Sequence, residues 1–288
     1  MRLARVSYED SIRLGEVSGD RIMLFPHGTL DVDQTSPLGI AALAAAGWTD
    51  PVPLPVERAV ALADVVTLAP VPAPGKIICI GLNYRRHAEE GGVEVPDWPE
   101  VFAKFANTIA DPDSEIEIPA PDADVDYEVE LCAIIGQQAH RLRPGEGLGV
   151  VAGYTVANDV SARRWQLRVS QWTSGKTSDG FCPVGPFVAT PSSIRDPQAL
   201  HIWTEVNGRR VQDSSTADMV LGVDELLVYL SAILTLTPGD LILTGTPEGV
   251  GLGQKPPRYL QPGDIVRVGI DEIGSFANRF VSTGRGSF

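Results

Sequence analysis

The chain predicts a β-rich α+β fold in two units, a small N-terminal α+β domain over residues 1–70 and a larger unit over 71–288. Three observations carry this. The 29 glycines and 23 prolines cut the chain into short segments, as tight turns between strands require. The apolar runs after residue 75 are mostly of strand length, with two or three helical spacings among them. The stretch Pro70-Val-Pro-Ala-Pro-Gly75 is a stiff connector, and it sets the boundary.

Taken in order, Ser11–Phe25 reads as two short strands around the turn Ser18-Gly19-Asp20. Ser36–Ala46 carries a helix signal, with Ser36 as cap and Pro37 in the first turn, and Gly47 ends it. Val56–Leu62, after Pro51, Pro53 and Pro55, reads as a further short helix. In the second unit Lys76–Ile80 is an almost wholly apolar strand, and Asn83–Glu90 is a short helix closed by Gly91-Gly92. Tyr127–Ile135 and Val150–Asn158 are strong strands, and Asp159–Gln171 has helical spacing. Strands are expected at Phe187–Thr190, Leu200–Val206, Leu241–Thr244 and Ile265–Ile270, and a helix at Val223–Leu234.

Composition removes several classes of function. The net charge of −14 opposes nucleic acid as main partner, because phosphate binding needs a positive field. It equally opposes an anionic membrane surface. The first ten residues hold no apolar signal core, and the longest apolar runs fall short of the ~20 residues a membrane span requires. Cys79, Cys132 and Cys182 are odd in number and sit in apolar contexts. They read as reduced core residues of a cytoplasmic protein rather than a disulfide frame or zinc site.

The most informative segment is Asp122–Ile135. Acids recur at Asp122, Asp124, Asp126, Glu128 and Glu130, and period two puts them on one strand face. The same alternation describes a solvated acidic face. However, beyond Glu130 that face continues as Cys132 and Ile134, so it enters the core. Glu128 and Glu130, about 6.6 Å apart along the strand, then repel each other near a buried edge unless a cation offsets both. A hard divalent ion with oxygen ligands does so. Asp159, at the end of the next apolar strand, is the candidate third ligand, or else the N-cap of the following helix. Four histidines without paired spacing (His27, His87, His140, His201) disfavour zinc and favour Mg²⁺ or Mn²⁺.

Three other segments carry chemistry. His87 and Glu90, three apart on a helix, can form a carboxylate-oriented general base, although mixed charge on a surface helix gives the same pattern. Gly91-Gly92 after them suits a mobile loop. Lys176 lies in the glycine-rich loop Gly175–Pro186, where it meets an anionic substrate or simply solvent. A phosphate loop is excluded there, since Ser170 stands where its first glycine belongs and two prolines prevent the following helix. Leu241–Gly251 is a strand followed by a Thr/Gly turn suited to carboxylates, or an ordinary strand-ending turn. No dinucleotide fingerprint and no nucleophile elbow occur.

In order along the chain, KIICIGLNYRRHAEE, the FAK around Lys104, DYEVELCAIIG, GYTVANDVSAR, QWTSGKTSDGFCPVGP and LILTGTPEGVG resemble the fumarylacetoacetate hydrolase family, from Lys76 to Gly251. The resemblance implies a mixed β-sandwich or roll, preceded by a small variable domain, in a homodimer. It implies Mg²⁺ or Mn²⁺ on Glu128, Glu130 and Asp159, and a water-activating lid dyad of His87 and Glu90. Lys176 matches the lysine that stabilises developing negative charge, and Thr246 a threonine that holds the substrate carboxylate. Arg163 and Gln166 fall where members place substrate contacts. Ser178 departs from the family's usual Phe beside the pocket lysine. The implied substrate is a small anionic 2-oxo acid. The leading activity is hydrolysis of an acylpyruvate (a 2,4-dioxo acid) to pyruvate and a carboxylic acid. Oxaloacetate decarboxylation and isomerisation of 2-hydroxyhepta-2,4-diene-1,7-dioate use the same metal–enolate chemistry. A metal-binding protein without catalysis is the reading from another class.

Overall fold

A computed structural model of the chain describes residues 1–283; the last five residues of the second unit, 284–288, lie outside the described residues. Two sheets organise it. A twelve-stranded sheet runs Arg58–Ala61, Arg21–Leu24, Ser11–Ser18, Arg2–Tyr8, Cys182–Ala189, Val151–Asn158, Val129–Ile135, Leu241–Leu243, Ile77–Gly81 and Glu100–Lys104, with two short strands off this path. Neighbours along the path are antiparallel except Leu241–Leu243 beside Ile77–Gly81, which are parallel. A five-stranded sheet runs Arg209–Ser215, His201–Val206, Ile265–Ile270, Gly274–Ser282 and Glu115–Ile118. The N-terminal strands join the large sheet directly, since Arg2 pairs with Ala189 and Leu3 with Val188.

The strand Val129–Ile135 is buried along its whole length, and its alternation feeds two cores. Val129, Leu131, Ala133 and Ile135 pack in one cluster with Ile202, Val268, Phe276 and Phe280 of the second sheet. Cys132 and Ile134 pack in another with Leu3, Phe25, Leu43 and Trp48 from the N-terminal part. The period-two reading of this strand therefore holds, and it makes the strand the central layer of a sandwich. All three cysteines are free and buried.

Several local expectations change. Val56–Leu62 is not helical: Arg58–Ala61 pairs with Arg21–Leu24, because an open sheet edge offers its backbone more partners than one helical turn would. The helix expected over Ser36–Ala46 shrinks to Ala41–Ala45, since Gly39 takes a positive φ (53°) that ends any earlier turn. Asp159–Gln171 is helical only over Arg163–Gln166. Its start is diverted into a short pairing of Ser161–Ala162 with Val125–Asp126. The loop Gly175–Pro186 is in fact the end of a short helix, Thr173–Lys176, and the start of the strand Cys182–Ala189. Pro183 and Pro186 are tolerated there beside a register shift between Tyr154 and Val156 on the neighbouring strand. The strand Arg2–Tyr8 gave no recognised sequence signal. The helix Val223–Ile233 forms as its spacing predicts, with Glu225 accepting from the Gly222 N–H at 2.8 Å. Among the described residues no helix is long and apolar enough to cross a membrane.

Candidate active site

The sheet register assembles the acids. Glu130 lies opposite Ala157, and Val129 opposite Asn158, so the start of one strand meets the end of the next. The backbone then locks the junction. Asp159 N donates to Glu128 O at 2.8 Å, and Glu128 N donates to Asn158 Oδ1 at 2.9 Å. As a result Glu128, Glu130 and Asp159 offer carboxylate oxygens within 4.8 Å of one another, all three buried. Asp159 caps no helix; its side chain turns to two lysines instead.

Cations surround these acids. Lys176 Nζ donates to Glu128 Oε2 and Asp159 Oδ2, each at 2.7 Å. Lys104 Nζ donates to Asp159 Oδ1 at 2.6 Å and to Val160 O at 3.1 Å. Arg163 pairs through Nε with Asp126 Oδ2 at 2.8 Å and through NH2 with Glu128 Oε1 at 2.6 Å. Burial alone would raise the Glu128 carboxyl, but Arg163 and Lys176 hold it well below the usual range. Burial would likewise depress Lys176, and the charges of Asp159 and Glu128 push it up instead, so it stays protonated.

Glu130 is different. Its Oε2 accepts the Gly245 N–H at 2.7 Å, and among the described residues no lysine or arginine pairs with it. Burial, then the neighbouring Asp159 and Glu128, push its carboxyl well above the ordinary range. The donor set therefore fits a hard divalent cation. It is all oxygen, it holds no buried histidine or cysteine thiolate, and one of its carboxylates lacks a compensating charge.

His87, Arg163, Gln166, Lys176 and Thr246 line one cavity of about 250 Å³ with Glu128 and Glu130, whereas Asp159 and Glu90 are not part of its lining. His87 sits on the short helix Arg85–Glu90, one turn from Glu90. Its Nδ1 is 3.6 Å from Glu90 Oε2, too long for a hydrogen bond, and has no other partner. Both Glu90 oxygens accept the Gly249 N–H at 3.1 Å, which ties the helix to the Thr/Gly turn. Gly249 takes φ 99°, and a Cβ there would lie 2.0 Å from Val211 O, so the turn needs glycine. Thr246 Oγ1 accepts from Gln212 Nε2 at 2.9 Å, which leaves its own hydrogen free. Gln166 Oε1 accepts from Arg163 NH1 at 3.0 Å, leaving its amide hydrogens free.

Two residues of the site carried no assigned role in the sequence. Lys104 is completely enclosed and gives Asp159 its second cation. Asp126, one of the alternating acids, accepts the Gly251 and Leu252 N–H groups at 2.7 and 3.0 Å as well as Arg163. Its place in the acid series marked it as a face residue, but not as an internal anchor. Asp124, with φ 53°, precedes the short strand Val125–Asp126, and Tyr127 and Glu128 separate that strand from Val129–Ile135, so the acidic face is not continuous.

The profile of the fumarylacetoacetate hydrolase C-terminal family matches residues 76–281. A mitochondrial oxaloacetate tautomerase of Homo sapiens is 45% identical over 220 residues, which is 76% of this chain and 70% of the relative. Among solved structures, 2-hydroxyhepta-2,4-diene-1,7-dioate isomerase from Mycobacterium marinum superposes with a TM-score of 0.80 at 33% identity, covering 99% of this chain and 100% of that one. Maleylpyruvate hydrolase from a Sphingobium species does so with 0.78 at 32% identity, covering 98% and 100%. These relatives carry three reaction names: tautomerase, isomerase and hydrolase.

Proposed function

The chain belongs to the fumarylacetoacetate hydrolase family, and on that footing we propose that it is a divalent-metal enzyme that cleaves an acylpyruvate to pyruvate and a carboxylic acid. The observation that supports this most is the placing of His87, with an unpartnered Nδ1, in one cavity with Glu128, Glu130 and a protonated lysine, the two acids converging with the buried Asp159 behind them.

Glu128, Glu130 and Asp159 would hold Mg²⁺ or Mn²⁺, which supplies Lewis-acid polarisation of the 2-oxo acid end. The charge of Glu90, whose Oε2 lies 3.6 Å from Nδ1 without a hydrogen bond, favours the tautomer with its proton there, which would make Nε2 of His87 the base. His87 then takes a proton from water, whose oxygen attacks the distal carbonyl. The bond between that carbonyl carbon and C3 breaks, and its electron pair leaves with the pyruvate fragment as an enolate. Lys176 has three N–H bonds and spends two on Glu128 and Asp159, so its third can be given to that developing charge. Thr246 and Gln166 have the free hydrogens to orient the substrate carboxylate. A proton returned to C3 completes pyruvate.

A second reading rests on the 45% identity to an oxaloacetate tautomerase. There His87 would move a proton at C3 without any attack by water. The homodimer and a reducing setting belong to the same proposal, the latter supported by three free buried cysteines; the cytoplasmic location expected from the sequence fits poorly with the mitochondrial label of the human relative.

The test uses EDTA-stripped protein with Mg²⁺ or Mn²⁺ restored, alongside Glu130→Ala. Pyruvate release from acylpyruvates is measured beside keto–enol interconversion and CO₂ release with oxaloacetate. Metal-dependent pyruvate release, absent in the variant, supports the hydrolase. Interconversion of oxaloacetate without any acylpyruvate cleavage replaces it with the tautomerase, and CO₂ release alone replaces it with a decarboxylase.

A further inference from the structure

We infer that the substrate carries an apolar chain beyond its 2-oxo acid head, rather than a second carboxylate; this rests on the 2-oxo acid reading above. The cavity is divided. Its polar groups, His87, Glu128, Glu130, Arg163, Lys176 and Thr246, gather around the acids, with Gln166 beside Arg163. Much of the rest of its lining is apolar: Ile80, Leu82, Val93, Phe102, Trp172 and Leu252.

Charge decides what that wall accepts. The lysine and arginine that line the cavity are Lys176 and Arg163, and each is already shared between two carboxylates at the acid end. A distal carboxylate would leave water for a surface that offers it no free cation, which is strongly unfavourable. An aliphatic or aromatic chain loses nothing there.

The wall is also rigid. The Trp172 ring lies so close over Gly81 that a Cβ at that position would fall 2.5 Å from it. Phe102 meets the indole edge-on, with centroids 5.5 Å apart and planes at 69°. The same Phe102 ring lies 4.9 Å from Lys176 Nζ, so the flat apolar surface begins where the acid end stops. At the mouth, Val93 and Leu167 are 47% and 59% exposed. A chain leaving the head group along Trp172 would cover this apolar rim and remove it from water.

The experiment measures binding of unreactive probes to the full chain loaded with Mn²⁺, by calorimetry. Oxalate probes the head alone. 2-Oxohexanoate and 2-oxoadipate share one carbon count and differ at the far end. The expected result is oxalate binding that requires Mn²⁺, with 2-oxohexanoate at least about tenfold tighter than 2-oxoadipate. Leu167→Arg, at an exposed position that the fold tolerates, should narrow that gap by about tenfold. Tighter or equal binding of 2-oxoadipate by the wild type overturns the inference, as does a gap unmoved by Leu167→Arg. No Mn²⁺-dependent oxalate binding overturns the 2-oxo acid reading itself, so the two failures are separable.

Discussion

Replacing Glu130 with Gln should raise stability without metal and lower it with metal. The side chain keeps its shape, and its amide oxygen can still accept the Gly245 N–H now taken at 2.7 Å. What disappears is a buried carboxylate with no cationic partner, beside two others that have them. In metal-free protein that group costs free energy in either form. Ionised, it is a desolvated charge repelled by Asp159 and Glu128; protonated, it has taken up a proton at neutral pH against its intrinsic preference. Removing this should gain about 1–2 kcal/mol, the lower range for relief of an uncompensated buried polar group. At roughly 2–4 °C per kcal/mol for a large domain, the expected rise in Tm is ~2–8 °C. With metal the sign reverses. An ion present at about 1,000 times its Kd stabilises the wild type by about 4.1 kcal/mol. The variant, with two carboxylates in place of three, should gain well under half of that. Thermal unfolding of both proteins in EDTA and in a Mn²⁺ titration reads this directly, as melting curves that exchange order. A variant that melts below wild type in EDTA refutes the argument that Glu130 is uncompensated. Equal metal-induced shifts refute its role as a ligand.

Lys104→Met should destabilise the metal-free protein by about 3–5 kcal/mol, because it leaves Asp159 Oδ1 and Val160 O buried without their donor; urea unfolding that shows less than about 1 kcal/mol contradicts this. The three cysteines should resist a thiol reagent in the native state and react fully after denaturation. All are enclosed, and burial pushes the Cys182 thiol up to about 12; stoichiometric labelling of native protein within minutes would refute it. On the surface, hydrogen bonds to the accepting carboxylates of Asp213 and Asp271 raise the pKa of His201. Its contribution to stability is present at low pH and lost as pH rises through the raised value. An NMR titration should show the His201 pKa falling in Asp213→Asn, and an unchanged titration would remove that carboxylate as the cause.

What the sequence made legible follows from how local each signal is. Period-two alternation in Val129–Ile135 separates the face of Val129, Leu131, Ala133 and Ile135 from the face that carries Glu130 into the second core, because a strand's two faces are written in its own residues. The i,i+3 spacing of His87 and Glu90 is equally local, and the helix Arg85–Glu90 realises it. Lys104 is the opposite case. Its partner Asp159 lies 55 positions away, and the strand that presents it, Glu100–Lys104, is a sheet edge with little periodicity. Asp126 meets Gly251 across 125 positions, so only the folded turn reveals its anchoring role. The misread helices share one cause. Around Val56–Leu62 and Asp159–Gln171, backbone groups found sheet or loop partners from distant segments, which outweigh weak propensities.

On the proposed function, the charge balance of the site would let a protein of net charge −14 bind an anion. Four buried carboxylates, Asp126, Glu128, Glu130 and Asp159, face three buried cations, Lys104, Arg163 and Lys176. With all four acids ionised the groups carry an excess of one negative charge, and with Glu130 protonated they carry none, so in neither state do they attract a 2-oxo acid. A divalent ion held by the acids turns that excess positive within a low-dielectric enclosure, where charge acts strongly. Surface acids are screened beyond about 8–10 Å by salt and do not reach it. The cavity thus has one end whose sign depends on the ion and another, along Trp172 and Phe102, that has no charge at all. Affinity for the acid head should therefore vanish with the metal, while discrimination between tails should persist in proportion to their apolar surface. A single substrate series measured with and without Mn²⁺ separates the two contributions.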